Sequence, residues 1–175
     1  MIKMIKNWLI YGLLLCSISC VAFSNKHTNT NKDKLSIVIF FSPTCPICQY
    51  YTTDINKIID SLSIPVTVII PKKSILSKKE IAQYYKNYNP HFVLQYDKRN
   101  KKVHKYRATI TPEFYLLRND TILYQGAFND KFIDIGKKKS VIQNHYLFDA
   151  IYALNNNLLF VQKTEAVGCF IDAKK

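Results

Sequence analysis

The sequence predicts an α/β fold, with a central mixed β-sheet flanked by helices, a closing C-terminal helix and a tail. Three observations predict it. Leu35 to Phe41 is a nearly unbroken apolar, β-branched run, the pattern of a strand covered on both faces. A helical apolar stripe and a second apolar run, Val66 to Ile70, follow it, which makes a parallel strand–helix–strand crossover. Farther on, Glu113 to Leu117 and Thr121 to Tyr124 flank the turn Arg118-Asn119-Asp120, the pattern of an antiparallel hairpin. Parallel and antiparallel pairs together make the sheet mixed.

The chain has 175 residues, 48% of them hydrophobic and 21% charged, the make-up of one globular domain. A chain near this size buries roughly 70% of its unfolded surface, so its core needs no disulfide staple. Lys3 and Lys6 precede an apolar run from Trp8 to Ile18, and the chain turns polar from Ser24. That is the shape of a signal peptide, and the run is shorter than the about 20 residues of a spanning helix. Residues 1–20 are therefore read as a leader, 21–34 as a polar tether and 35–175 as the folded domain. Ser17-Ile18-Ser19-Cys20 resembles a lipobox, which makes Cys20 the candidate lipid-attachment residue. Cleavage after Ala22-Phe23-Ser24, with simple secretion, is the alternative. The expected location is the bacterial cell envelope, with the domain facing the periplasm and held to the membrane by lipid.

The remaining elements follow in order. Ser42-Pro43-Thr44 ends the first strand, and Pro46 suits the first turn of a helix, where its missing N–H costs nothing. Ile47, Tyr51, Ile55, Ile58, Ile59 and Leu62 make the apolar stripe, and Ile64-Pro65 stops it. Ser77 and Glu80 form a capping box for a helix to about Asn87, with Ile81, Tyr84 and Tyr85 inward. Phe92 to Tyr96 reads as a short strand and Asn100 to Tyr106 as a short basic helix. Phe128 to Ser140 reads as irregular. Tyr146, Phe148, Ala150, Ile151 and Leu154 line one side of a closing helix, which Asn155-Asn156-Asn157 stops. Leu158 to Lys175 carries no assigned element, and the chain has no internal repeat.

The net charge of +13 is spread through the chain, with no zinc-finger spacing, and export would keep the protein from nucleic acid. A solvated basic surface accounts for it, and no nucleic-acid partner is expected.

Of five cysteines, Cys16 lies in the leader and Cys20 would carry lipid, leaving Cys45, Cys48 and Cys169. Cys45 and Cys48 stand where a buried strand becomes a helix. The free N–H groups and dipole of a first helical turn favour a thiolate, the attacking species in disulfide exchange. Three-residue spacing sets Cys48 on the same face, one turn deeper. Cys45 is thus the candidate nucleophile and Cys48 the resolving thiol. Covalent haem would need a histidine where Gln49 stands, and a structural zinc would need a second close pair. A purely structural bond would close too short a loop to stabilise much.

The stretch from Phe40 through Cys45-Pro46-Ile47-Cys48 resembles the active-site entry of the thioredoxin superfamily, in particular its redoxin, or peroxiredoxin-like, branch. Thr111-Pro112-Glu113-Phe114-Tyr115-Leu116-Leu117 resembles that superfamily's cis-proline strand. Tyr124 to Asp130 and Thr164 to Ile171 are similar to the segments that follow in the same branch. The resemblance implies a thioredoxin fold, with Thr111–Pro112 cis against the dithiol and Thr111 offering its backbone to a substrate chain. Departures are plain: Thr44 stands where tryptophan often precedes the first cysteine, and the strand before Cys45 lacks the buried carboxylate of many thioredoxins. Glu113 is the replacement candidate for proton transfer. Cys169 is either a third redox thiol or a buried small hydrophobe, the commoner use of a free cysteine.

The function implied is a thiol–disulfide oxidoreductase, needing no cofactor, whose partners are disulfide-bearing envelope proteins and an electron donor. Two alternatives stand beside it. A thiol peroxidase would carry Pro-x-x-x-Thr-x-x-Cys, but Ser42 precedes Cys45 by three and Val38 by seven. A copper carrier of this fold would pair the cysteines with His91 or His104, with Cys169 as another soft ligand.

Overall fold

Period-two alternation along the strands Leu35–Phe40, Val66–Pro71 and Glu113–Arg118 sorts the apolar residues into two cores, and the sheet lies between them. The computed structural model describes residues 34–172; the leader, residues 21–33 of the tether and the proposed lipid site at Cys20 lie outside the described residues. The elements are β1 (Leu35–Phe40), α1 (Pro46–Ser61), β2 (Val66–Pro71), a short 3-10 turn at Lys72–Ser74, α2 (Lys78–Tyr88), β3 (Leu94–Asp97), α3 (Lys101–Tyr106) and β4 (Ile110–Thr111). They continue with β5 (Glu113–Arg118), β6 (Thr121–Gly126), β7 (Phe132–Asp134), β8 (Lys137–Lys138), α4 (Tyr146–Asn155) and β9 (Cys169–Phe170). The main sheet has the order β3-β2-β1-β5-β6. β1 pairs with β2, and β2 with β3, in parallel, while β5 runs antiparallel to both β1 and β6. The sheet is mixed, with β1 at its centre.

On one face Ile37, Ile39, Val68, Ile70, Phe114 and Leu116 pack against α1, α2 and α4 in the larger core. On the other, Val38, Phe40, Ile69, Tyr115 and Leu117 meet Val103 of α3 and Ala108. The capping box opens α2 as its residues require: the Ser77 N–H donates to Glu80 Oε2 at 2.8 Å, and the Glu80 N–H to Ser77 Oγ at 3.3 Å. Phe40, Tyr106 and Tyr115 close the smaller core edge to face, with centroids 5.3 to 5.8 Å apart.

Three segments differ from the sequence expectation. The stretch read as irregular holds the β7–β8 hairpin, turned at Gly136 with φ of 80°; strands this short and charged show no alternation to read. In α4 Ala150 and Ile151 are buried as expected, but Leu147, three and four positions before them on the same helical face, is buried in place of Phe148. The tail has structure as well. The Gln125 N–H donates to the Gln162 carbonyl at 2.9 Å, the Thr164 N–H donates to the Gln125 carbonyl at 3.0 Å, and β9 then pairs antiparallel with β4.

A candidate dithiol site

Cys45 is the N-cap residue of α1, with extended backbone (φ −78°, ψ 121°), and Pro46 opens the helix behind it. The β1 strand delivers it: the Phe41 N–H still bonds the Ile69 carbonyl at 2.8 Å, and a turn follows in which the Cys45 N–H bonds the Ser42 carbonyl at 3.0 Å. Gln49 clamps that turn from the helix through Nε2 to the Pro43 carbonyl, 2.7 Å. The dithiol therefore rests at the end of the central strand of the sheet.

Both thiols are covered, Cys45 at 1% and Cys48 at 0% exposure. Their acidities are driven apart. Cys45 is lowered from 9.0 to about 5: the Cys48 thiol donates to its sulfur, burial opposes this, and the Cys169 thiol and the N–H groups of Cys48 and Ile47 add to the lowering. Cys48 is raised well above its ordinary value, by burial first and then by the neighbouring Cys45. One sulfur is a thiolate at neutral pH and the other keeps its proton. When protonated, the Cys45 thiol donates to the Thr111 carbonyl at 3.3 Å, and the Ser42 N–H donates to Cys48 Sγ at 3.3 Å.

The Thr111–Pro112 bond is cis. Thr111 is 1% exposed and its carbonyl faces Cys45, so the two segments that carry the resemblance meet in space. Cys169 is half-buried on β9, directly across from Thr111. Its thiol is pushed up to about 12 by burial and by its two interactions with Cys45.

Glu113 is not brought to the dithiol. It pairs with Phe40 across the sheet and shares a face with Tyr115 and Leu117, whereas Cys45 and Cys48 belong to the core on the other side. Its carboxylate is occupied there by the Thr109 N–H at 3.2 Å and Gln125 Nε2 at 2.9 Å. His91 is also remote: its Nδ1 lies 3.0 Å from Asp60, at the opposite end of α1 from Cys48 and roughly 18 Å away along the axis at 1.5 Å per residue. His104 stands exposed on α3, which packs on the other face. Among the described residues no group of three or more His, Cys, Asp or Glu could hold a metal ion.

Sequence reasoning missed the polar pair behind Cys48. Thr52 Oγ1 donates to the Cys48 carbonyl at 3.2 Å and shares a 2.9 Å hydrogen bond with the Tyr84 hydroxyl. Thr52 stands four residues after Cys48, a helical spacing that marks it; the sequence turns Tyr84 of α2 inward but does not show that Thr52 is its partner.

No protein-family model matches the chain, and no curated protein matches it. Solved structures do. An uncharacterised conserved protein from Geobacillus kaustophilus superposes over 81% of this chain and 78% of its own, with a TM-score of 0.64 and 18% identity. A hypothetical protein from Sinorhizobium meliloti 1021 covers 82% of each chain with a TM-score of 0.60, also at 18% identity. StoA from Bacillus subtilis aligns more loosely, at a TM-score of 0.48 over 54% of this chain and 73% of its own, with 18% identity. A mixed sheet with its central strand running into a Cys-Pro-Ile-Cys helix start, opposed by a cis Thr111–Pro112 bond, makes this a thioredoxin-fold protein.

Proposed function

We propose that the protein is a thiol–disulfide oxidoreductase working through Cys45 and Cys48. The observation that carries the reading is the placement of two adjacent thiols at a helix start against the carbonyl of the cis Thr111–Pro112 bond, where hydrogen bonding lowers Cys45 to about 5 and burial raises Cys48. The Cys45 thiolate attacks one sulfur of an external disulfide; a mixed disulfide forms and the other sulfur leaves as a thiolate, which takes up a proton. Cys48 then loses its proton and attacks Cys45 Sγ. The Cys45–Cys48 bond forms, the second external sulfur leaves, and one disulfide has become two thiols at the expense of the dithiol. Thr111, which pairs with β9 in the resting protein, supplies a backbone edge for the incoming chain once β9 moves aside, with Pro112 fixing the turn beside it.

The partners in this reading are disulfide-bearing proteins of the bacterial envelope and an electron donor. The signal-peptide pattern, the lipobox-like Cys20 and the polar tether support export and lipid anchoring. The exchange is reversible, and its direction follows the reduction potential of the Cys45–Cys48 pair, which ranges from about −270 to about −120 mV for this motif.

The test uses a disulfide substrate such as insulin. Cys45→Ser should abolish exchange, and Cys48→Ser/Cys169→Ser, which removes both other thiols of the domain, should accumulate mixed disulfides at Cys45. Wild-type turnover in both variants would overturn the mechanism.

A further inference from the structure

Cys169 stands 58 positions from Thr111 in sequence, yet the chain spends several contacts on bringing it to the dithiol. Upstream, the tail is pinned where Thr164 Oγ1 meets the Tyr124 hydroxyl at 2.6 Å and accepts from the Ala127 N–H at 3.0 Å. Gly168 is then buried flat on the Thr111 carbonyl and Pro112: a Cβ there would run into both, so the close approach depends on glycine. Next comes Cys169, opposite Thr111, whose carbonyl Cys45 also touches. Thr111 Oγ1 donates to the Cys169 carbonyl at 3.3 Å, and the Ile171 N–H to the Thr109 carbonyl at 2.9 Å.

Cys169 packs against the larger core but is only half-buried, and it lines an apolar groove of about 290 Å³ with Pro46, Ile47, Tyr50 and Phe132. Of the three described thiols it is the one open to solvent, while Cys45 behind it is 1% exposed. A sulfur on an extended chain, paired beside Thr111 and facing Cys45, has the placement an exchanging disulfide partner requires.

We infer that Cys169 is a third redox residue, an internal alternative to Cys48 as the disulfide partner of Cys45. The inference rests on Cys45 being the nucleophile proposed above. In the step, Cys45 already carries an external sulfur as a mixed disulfide. Cys169 releases its proton to water, and its thiolate attacks Cys45 Sγ. The Cys45–Cys169 bond forms, the bond to the external sulfur breaks, and that sulfur leaves as a thiolate and is protonated. The external disulfide is the oxidant: it gains two electrons, and Cys45 and Cys169 lose them. The new bond fastens the tail over the site and leaves Cys48 reduced beneath it, from where attack on Cys45 reopens the site and frees Cys169. β9 is two residues long and Phe170 is 86% exposed, so the bonds from Thr111 Oγ1 to the Cys169 carbonyl and from the Ile171 N–H to the Thr109 carbonyl are what must open when Cys45 admits a substrate.

The experiment uses the Cys48→Ser protein, oxidised glutathione as the probe and peptide mapping by mass spectrometry. Cys45 should be glutathionylated transiently and then appear bonded to Cys169, whereas in Cys48→Ser/Cys169→Ser the glutathione should persist at least about tenfold longer. Adding Gly168→Ala to Cys48→Ser, with Cys45 and Cys169 intact, should slow the Cys45–Cys169 bond by about tenfold, because the new Cβ pushes β9 off Thr111. If Cys48→Ser holds glutathione as long as the double variant and yields no Cys45–Cys169 peptide, the inference falls and the dithiol reading stands. An unchanged rate with Gly168→Ala would overturn the role given to the β9–β4 pairing. If Cys45 takes no glutathione in any variant, both readings fall together.

Discussion

Cys45 and Cys48 differ by one helical turn, and that turn separates their chemistry. Cys45 sits at the open end of α1 among donors, and Cys48 sits fully buried in the core, where its thiol donates to Cys45 and the Ser42 N–H meets its sulfur. Since the thiolate is the reactive form, alkylation of Cys45 by iodoacetamide should rise through pH about 5 and be nearly flat by pH 7. Cys48→Ala deletes the largest cause of the lowering, so that midpoint should move up toward 9.0; an unmoved midpoint would assign the acidity to the helix start alone. The same shift couples to stability. Between pH 5 and 9 the unfolded Cys45 holds a proton that the folded one has lost, so rising pH stabilises the reduced fold. This contribution is complete above 9.0 and is lost as pH falls through about 5. The urea midpoint of reduced protein should therefore climb from pH 5 to 8, and the climb should be smaller in Cys45→Ser.

At the scale of elements, helix stripes and caps were legible because each depends on residues within a few positions of one another. The Ser77–Glu80 box and the α1 stripe belong to this class. α3 was harder to read, because six residues are too few to hold a helix by themselves. Asp97 holds it from the end of β3: Oδ2 accepts the N–H groups of Lys102 at 2.7 Å and Val103 at 2.9 Å, and Asp97 is 6% exposed. Asp97→Ala leaves both donors without that acceptor and should cost about 1–3 kcal/mol in chemical denaturation, with Asp97→Asn losing less. A loss below a few tenths of a kcal/mol would mean that water replaces the carboxylate fully. The β7–β8 hairpin and β9 escaped notice for a related reason. A two- or three-residue strand contains no period, and only its partner defines it.

Across the whole molecule, one sheet serves two cores, and neither is complete without the strands between them. Phe40→Ala empties the smaller face and Ile39→Ala the larger; each should cost about 2–5 kcal/mol. Both variants should still unfold in one transition, since β1 carries both residues at the centre of the sheet. Two separate transitions would show that the cores are independent.

The mixed α/β class, the strand–helix junction bearing Cys45 and Cys48, and the Thr111-Pro112 strand were determined by the sequence itself. Apolar periodicity, turn residues and cysteine spacing are local properties, and they survive without knowledge of the neighbours. Three matters were decided only by the tertiary structure. Glu113 looked like a proton carrier until the register with Phe40 turned it to the face away from the thiols. Tyr84 came to Thr52 and Cys48 from another helix. Cys169 had burial as its commoner fate, but the tail's path over Gln125 and Thr111 laid it against Cys45. Each outcome depends on which face of a strand or helix meets which partner, and long-range packing sets that choice after the local pattern is complete.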